Sequence, residues 1–220
     1  MIRPLLHTVD PYEGFPYPSY PVDVWGWGSE DPIFEQVIRE VRPKVIFEIG
    51  SWLGASAIHM ASILKDLGIV AEIVCIDTWL GSCEFWNTHD NDIRRTAIRD
   101  DETRYTALRL RHGYPSVYYQ FLANVMQRCH QDTITPFPQT SSAAAEWFTR
   151  KKLTADAIYV DGSHSYEDVL ADLKAYWPLL RKGGIMWGDD LDTFTDVRKA
   201  LDAVRIGYET PDNRKCIIRK

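Results

Sequence analysis

Apolar and polar residues follow one another along this chain in two rhythms, and the switches between them outline the elements. Short unbroken apolar runs read as strands buried on both faces: KVIFEIG (44–50), AEIVCID (71–77), AIYVD (157–161) and GGIMWGDD (183–190). Between them, apolar positions recur at helical spacing. Ile33, Phe34, Val37, Ile38 and Val41 form one stripe, opened by Asp31 as N-cap with Pro32 in the first turn and stopped by Pro43. Leu53, Ala57, Ala61 and Leu64 form another, within a helix from Leu53 to Leu67 that ends at Gly68. Further helices are predicted over 116–130, from Ser142 to Phe148, from Tyr166 to Leu180 with a kink at Pro178, and from Phe194 to Val204. Ile134 to Phe137 reads as a strand, and Pro136 within it points to the sheet margin. Gly183-Gly184 reads as a helix-ending turn. The tail GYETPDNRKCIIRK reads as a hairpin turning at Pro211-Asp212-Asn213. This alternation predicts an α/β fold with a doubly wound, mostly parallel sheet of seven strands, an antiparallel C-terminal hairpin and a helical insertion.

Two stretches break the rhythm. Residues 1–30 carry Pro11, Pro16, Pro18, Pro21, Trp25 and Trp27, and proline at that density opposes regular helix and favours an extended arm. The arm is read as packed across a domain spanning 31–220; a lid over a site and a contact that builds a homo-oligomer are the alternatives. Residues 78–131 are too long for a plain connection. They hold Trp79, Trp86, His89, Arg94, Arg95, His112 and Tyr114, and a helical insertion or lid over 80–130 is expected near the ligand-binding edge.

Composition narrows the classes. The 220 residues are 45% hydrophobic and 25% charged, which suits one globular domain. Lys and Arg number 25 against 31 Asp and Glu, a net charge of −6 that argues against a nucleic-acid partner. Cys75, Cys83, Cys129 and Cys216 show no CxxC spacing and are read as reduced thiols of a cytoplasmic protein. The opening MIRPLLHTVDPYEG lacks the apolar core of a signal peptide, and no apolar run is long enough to predict a membrane span.

The candidate chemistry lies at strand ends. Asp161 closes one apolar run, and Asp189 and Asp190 close another. Parallel strands would deliver all three carboxylates to the edge where open α/β sheets bind ligands, and neighbouring strands are only about 4.8 Å apart. Acids that close repel unless one protonates or a cation intervenes. The pattern therefore points to a divalent metal site, with capping of the turn by Asp189 or Asp190 as the alternative. The loop FEIGSWLGAS holds Gly50 and Gly54 but not the G-x-G-x-x-G that admits a pyrophosphate, which disfavours a dinucleotide oxidoreductase. Asp77, at the end of the second strand, has the placement to accept hydrogen bonds from a ribose diol. His59 is read as a packed helix residue, and His89, His112 and His130 share no ligand spacing.

VIFEIGSWLGAS, IDTWLGS and VDGSHSYEDVLADLKAYWPLLRKGGIMWGDD together resemble the class I, Rossmann-like, S-adenosylmethionine-dependent methyltransferases. The likeness spans about 44–190 and is greatest to the metal-dependent small-molecule O-methyltransferases that include the macrocin and novobiocin sugar methylators and the cephalosporin-hydroxylase-like group. It implies that Glu48, Gly50, Ser51, Gly54 and Ser56 surround the methionine moiety of S-adenosylmethionine and that Asp77 holds its ribose. Thr78, Trp79, Thr140 and Ser141 would then lie beside the adenine. It further implies Asp161, Asp189 and Asp190 as metal ligands, Asp161 thereby serving catalysis, and His164 as the catalytic base. Oxygen ligands favour Mg²⁺, Mn²⁺ or Ca²⁺ over Zn²⁺.

The expected activity is methyl transfer to a hydroxyl of a small polyhydroxylated acceptor, a sugar or a natural product. The alternatives are a metal-independent methyltransferase of the same fold and a domain that binds without turnover. For His164 the alternative to a base is a loop histidine bonded to backbone.

Overall fold

Five parallel strands and one antiparallel strand make the main sheet of the computed structural model, which describes residues 1–86, 97–99 and 102–220. His89, Arg94 and Arg95, and the part of the expected insertion over 87–96 and 100–101, lie outside the described residues. In chain order the strands are β1 (Val45–Ile49), β2 (Glu72–Asp77), β5 (Ile134–Pro138), β6 (Ala155–Val160), β7 (Leu180–Gly188) and β8 (Cys216–Arg219). A short antiparallel pair, β3 (Ala97–Arg99) and β4 (Glu102–Thr103), lies apart from them and runs into the short helix α4 (Arg104–Ala107). Across the sheet the order is β5-β2-β1-β6-β7-β8, with only β8 antiparallel to its neighbour. The chain thus winds outward from β1 through β2 to β5, then returns to β6 on the other side of β1. Ligands bind at such a reversal, beyond the carboxyl ends of the two central strands.

Period-2 alternation explains why the strands read as continuous apolar runs. Phe47, Val74, Ile76, Ile158 and Met186 face one layer, while Ile46, Ile73, Cys75, Tyr159 and Trp187 face the other, and both layers are buried. Helices α2 (Ile33–Val41), α3 (Ala55–Asp66) and α5 (Val117–Gln127) cover one face. Helices α6 (Ser141–Lys151), α7 (Tyr166–Tyr176) and α8 (Thr195–Val204) cover the other. Asp31 starts α2 by accepting the Ile33 N–H at 2.8 Å. Among the described residues no helix is long and apolar enough to cross a membrane.

The structure corrects the sequence-based expectation at four places. The main sheet has six strands, not seven, because the first arm of the C-terminal hairpin makes only an isolated bridge, Glu209 to Ile217, and β8 alone joins the sheet. Gly183 and Gly184 lie inside β7 and do not end a helix. A Cβ on Gly184 would stand 2.6 Å from the Asp156 carbonyl, so glycine admits the close approach of β6 where the register shifts. Helix α7 stops at Tyr176, ahead of Pro178. The arm is not wholly extended, since α1 (Arg3–Leu6) takes Pro4 in its first turn, where proline's missing N–H costs nothing.

Polar bonds fasten that arm. The Ile2 and Arg3 N–H groups donate to the Glu72 carboxylate at 2.6 and 2.8 Å, and the Tyr12 hydroxyl donates to the Ile134 carbonyl at 3.0 Å. Further along, Asp23 is held by Arg99 and Arg109, with Trp25 beneath the Arg99 guanidinium at 5.3 Å.

Candidate active site

A cavity of about 1010 Å³ opens at the carboxyl ends of β1, β2, β5 and β6. Its floor is the turn after β1. Gly50 adopts φ +82°, and a Cβ there would lie 2.1 Å from the Asp161 carbonyl, so only glycine lets the β1 and β6 loops cross. Asp77 braces the same turn. One of its carboxylate oxygens accepts the Ser51 and Trp52 N–H groups at 2.9 and 2.8 Å, and the other accepts the Trp79 N–H at 2.7 Å. Behind the turn, Glu48 is wholly buried and accepts the Ser51 and Ser56 hydroxyls, each at 2.6 Å, and the Cys75 thiol at 3.2 Å. Burial pushes the Glu48 carboxyl up in pKa, and those donors only partly restore it.

The far end of the cavity is acidic. Asp161, His164 and Asp190 each offer one ligand atom, all within 4.8 Å of one another. His164 Nε2 lies 2.9 Å from Asp190 Oδ2, and its ring stacks on Phe194 with centroids 4.1 Å apart and planes 3° from parallel. Burial by itself would lower the His164 pKa. The hydrogen bond to Asp190, with the charges of Asp190, Asp161 and Glu84, outweighs it and raises the value. The Tyr159 hydroxyl donates to Asp161 Oδ2 at 3.0 Å. Burial, followed by repulsion from Asp189 and Asp190, pushes the Asp161 carboxyl up to about 7, against the pull of Lys215 and His164. Two carboxylates and an imidazole converging in this way form a donor set that fits a small divalent cation.

Asp189 is not in that set. Its carboxylate receives Arg214 through two nitrogens, Nε at 2.7 Å and Nη2 at 3.0 Å, together with the fully buried Lys215 ammonium and the Asp190 N–H. Burial would raise its pKa, but these cations overcome that and hold it below the usual carboxylate range. The expected third ligand is therefore the centre of a buried ion triad, because two cations already occupy its oxygens.

Over residues 47–191 the chain matches the family model described as a methyltransferase domain. The chain belongs to the methyltransferase-domain family. Solved structures extend the likeness across most of this methyltransferase. The O-methyltransferase NovP is 17% identical, with 86% of this chain and 78% of that one covered and a TM-score of 0.55. CalS11, a calicheamicin methyltransferase, is 18% identical, with 92% and 88% covered and a TM-score of 0.57. An O-methyltransferase from Bacillus cereus, in complex with S-adenosylhomocysteine, is 12% identical, with 91% and 84% covered and a TM-score of 0.55. No curated protein matches the chain. The fold is that of the S-adenosylmethionine-dependent O-methyltransferases, as the resemblance in the sequence implied.

Of the residues singled out in the sequence of this methyltransferase, Gly50, Ser51, Ser56, Asp77, Thr78, Thr140, Ser141, Asp161, His164, Asp189 and Asp190 line the cavity. Three lie behind its wall. Glu48 reaches the cavity only through the hydroxyls it binds. At Gly54 a Cβ would stand 2.9 Å from the Phe121 ring, so its role is to seat α3 against α5. Trp79 is 2% exposed, donates its indole N–H to the Trp52 carbonyl at 2.8 Å and packs on Tyr118 and Phe121. It is a core residue and no wall for adenine. Sequence reasoning missed Trp52, Phe85, Arg104, Asp172, Arg214 and Lys215. Only the RK pair before β8 carried a signal, since basic residues entering an apolar strand invite the question of what neutralises them.

Proposed function

We propose that the chain is an S-adenosylmethionine-dependent, divalent-metal-dependent O-methyltransferase acting on a hydroxyl of a small polyhydroxylated acceptor, a sugar or a natural product. One observation carries this reading: the Asp161–His164–Asp190 cluster and the Gly50–Asp77 turn face a single cavity. The solved relative CalS11 is described as a TDP-rhamnose 3′-O-methyltransferase, which agrees with a sugar hydroxyl as acceptor. Gly50, Ser51 and Ser56 are assigned to the methionine end of the donor, Asp77 to the ribose, and Thr78, Thr140 and Ser141 to the adenine. The arm over 1–30 and the segment over 80–130 are taken as the acceptor-side closure of a domain spanning 31–220.

Asp161 and Asp190 are the carboxylates assigned to hold Mg²⁺, or Mn²⁺ or Ca²⁺, with Asp189 positioning the loop from behind. Acidification of the acceptor hydroxyl is the chemistry such an ion supplies when bound. The chain's own residues do the rest. The cavity aligns acceptor oxygen and methyl carbon for in-line displacement. His164 takes the hydroxyl proton on Nδ1, since Nε2 is bonded to Asp190, as the O–CH₃ bond forms and the S–CH₃ bond breaks with its electron pair left on sulfur. Phe194 fixes the imidazole plane and Asp190 its hydrogen bond, so the base is oriented before substrate arrives.

The test is methyl transfer from S-adenosylmethionine to a panel of catechols and sugar diols, followed by mass spectrometry with magnesium or with excess chelator. Product that forms with magnesium and is lost on chelation supports the proposal. Turnover that persists in chelator would instead identify a metal-independent methyltransferase. Cofactor binding with no product on any diol would identify a binding domain.

A further inference from the structure

Two buried donors on residues that line the cavity have no acceptor among the described residues: the indole N–H of Trp52 and the Nε–H of Arg104. Both residues line the cavity and both lean on Phe85. The Trp52 and Phe85 ring centroids are 4.6 Å apart, and the Arg104 guanidinium carbon lies 5.7 Å from the Phe85 centroid and 6.0 Å from that of Trp27. The other arginines nearby are engaged, Arg99 by Asp23 and Glu102, and Arg109 by Asp23. Arg104 pairs with no carboxylate among the described residues. The nearby Glu84 carboxylate is taken by the Ser82 hydroxyl. Next to Trp27, Gly28 abuts Arg214 and Asp189, so the arm reaches the same end of the cavity.

Buried donors without acceptors are costly and are ordinarily satisfied in native structures. A guanidinium over aromatic faces and an indole N–H on the same Phe85 present donors only, and their complement is an anionic oxygen group. We propose that Arg104 and Trp52 form an anion-reading corner, so that the acceptor carries a carboxylate or phosphate besides its reacting hydroxyl. This rests on the assignment of this half of the cavity to the methyl acceptor. The flat walls of Trp27 and Phe85 suit a ring held between that anion and the acid cluster.

Calorimetry on the full chain loaded with S-adenosylhomocysteine tests it. One pair of probes is 3,4-dihydroxybenzoate against 3,4-dihydroxybenzamide, for a carboxylate; the other is TDP-glucose against methyl glucoside, for a phosphate. In at least one pair the anionic probe binds about tenfold tighter to the wild type, the size expected for a charged hydrogen bond. That ratio falls below about twofold in Arg104→Gln, is partly kept in Arg104→Lys, and drops a few-fold in Trp52→Phe. Affinity for S-adenosylhomocysteine is the same in the wild type and in both Arg104 variants. No anion preference in the wild type, or an undiminished one in Arg104→Gln, overturns the corner. Should Arg104→Gln fail to hold S-adenosylhomocysteine, unchanged ratios in both Arg104→Lys and Trp52→Phe overturn it instead. An anion preference without methyl transfer to any probe sinks the O-methyltransferase reading alone, and methyl transfer without an anion preference sinks only the corner.

Discussion

Asp161 and Asp189 are the same residue type at the ends of adjacent strands, yet their surroundings give them opposite properties. Asp161 is desolvated, with a tyrosine hydroxyl as its one side-chain donor among the described residues, and its carboxyl rises to about 7. Asp189 is clasped by Arg214 and Lys215 and stays ionised. Their alanine variants should therefore fail differently. Asp161→Ala should abolish magnesium-linked heat in calorimetry and lower kcat by roughly 10²–10³-fold with no loss of Tm, since a carboxyl raised by burial contributes no stability at neutral pH. Asp189→Ala leaves the buried Lys215 ammonium uncompensated and should cost about 3–5 kcal/mol in denaturant unfolding. Equal loss of stability in the two variants would refute the division. His164→Gln should lower kcat by about 10²–10⁴-fold with little change in cofactor affinity, measured by steady-state kinetics and calorimetry.

At the scale of elements, the site depends on how loops are tied to one another. The Gly50 turn is bonded to Asp77, so the ends of β1 and β2 move as a unit. The arm meets the described part of the 80–130 segment through Asp23, whose carboxyl burial would raise but Arg99 and Arg109 hold low. A carboxyl depressed by folding adds stability that is present above its unfolded pKa and lost as pH falls through the folded one. Asp23→Asn should accordingly free the arm near Trp25, raise the acceptor KM several-fold and speed proteolysis within residues 20–30. The affinity for S-adenosylhomocysteine should not change, because that end of the cavity does not touch Asp23. Resistance to protease equal to the wild type would show that the arm is held elsewhere.

For the molecule as a whole, buried acids set a pH dependence, and Asp172 is the one that lies outside the acid cluster and the Gly50 turn. Asp172 on α7 lines the cavity, and burial pushes its carboxyl from 3.8 to about 6, with the Ser141 hydroxyl opposing and Asp168 reinforcing the shift. Below pH ~4 the group is protonated in both states and costs nothing. Between ~4 and ~6 the unfolded chain ionises first and the fold loses stability; above ~6 the loss is complete, up to ~3 kcal/mol. Asp172→Asn should thus be more stable than wild type at pH 7.5 by about 1–3 kcal/mol in urea unfolding, with the difference shrinking towards zero at pH 4. A constant difference across that range would mean that the carboxyl does not titrate differently on folding.

The order of strands and helices, the edge position of the Pro136 strand and the family were all legible in the chain. Period-2 and 3.6-residue patterning is local, and so are the Gly50 and DGSHSYEDV motifs. What each acid does was not legible. Asp189 parts from Asp161 and Asp190 because Arg214 and Lys215, 25 and 26 residues on, return just ahead of the antiparallel strand β8 to meet it. Trp79, expected beside the adenine, is core because α5 packs over it, and Trp52, for which no place was expected, lines the cavity. Local periodicity determined which residues reach the carboxyl edge. Contacts between distant segments decided which of them are neutralised, buried or left facing a ligand, since burial and charge pairing are properties of the assembled surroundings and not of neighbours in the chain.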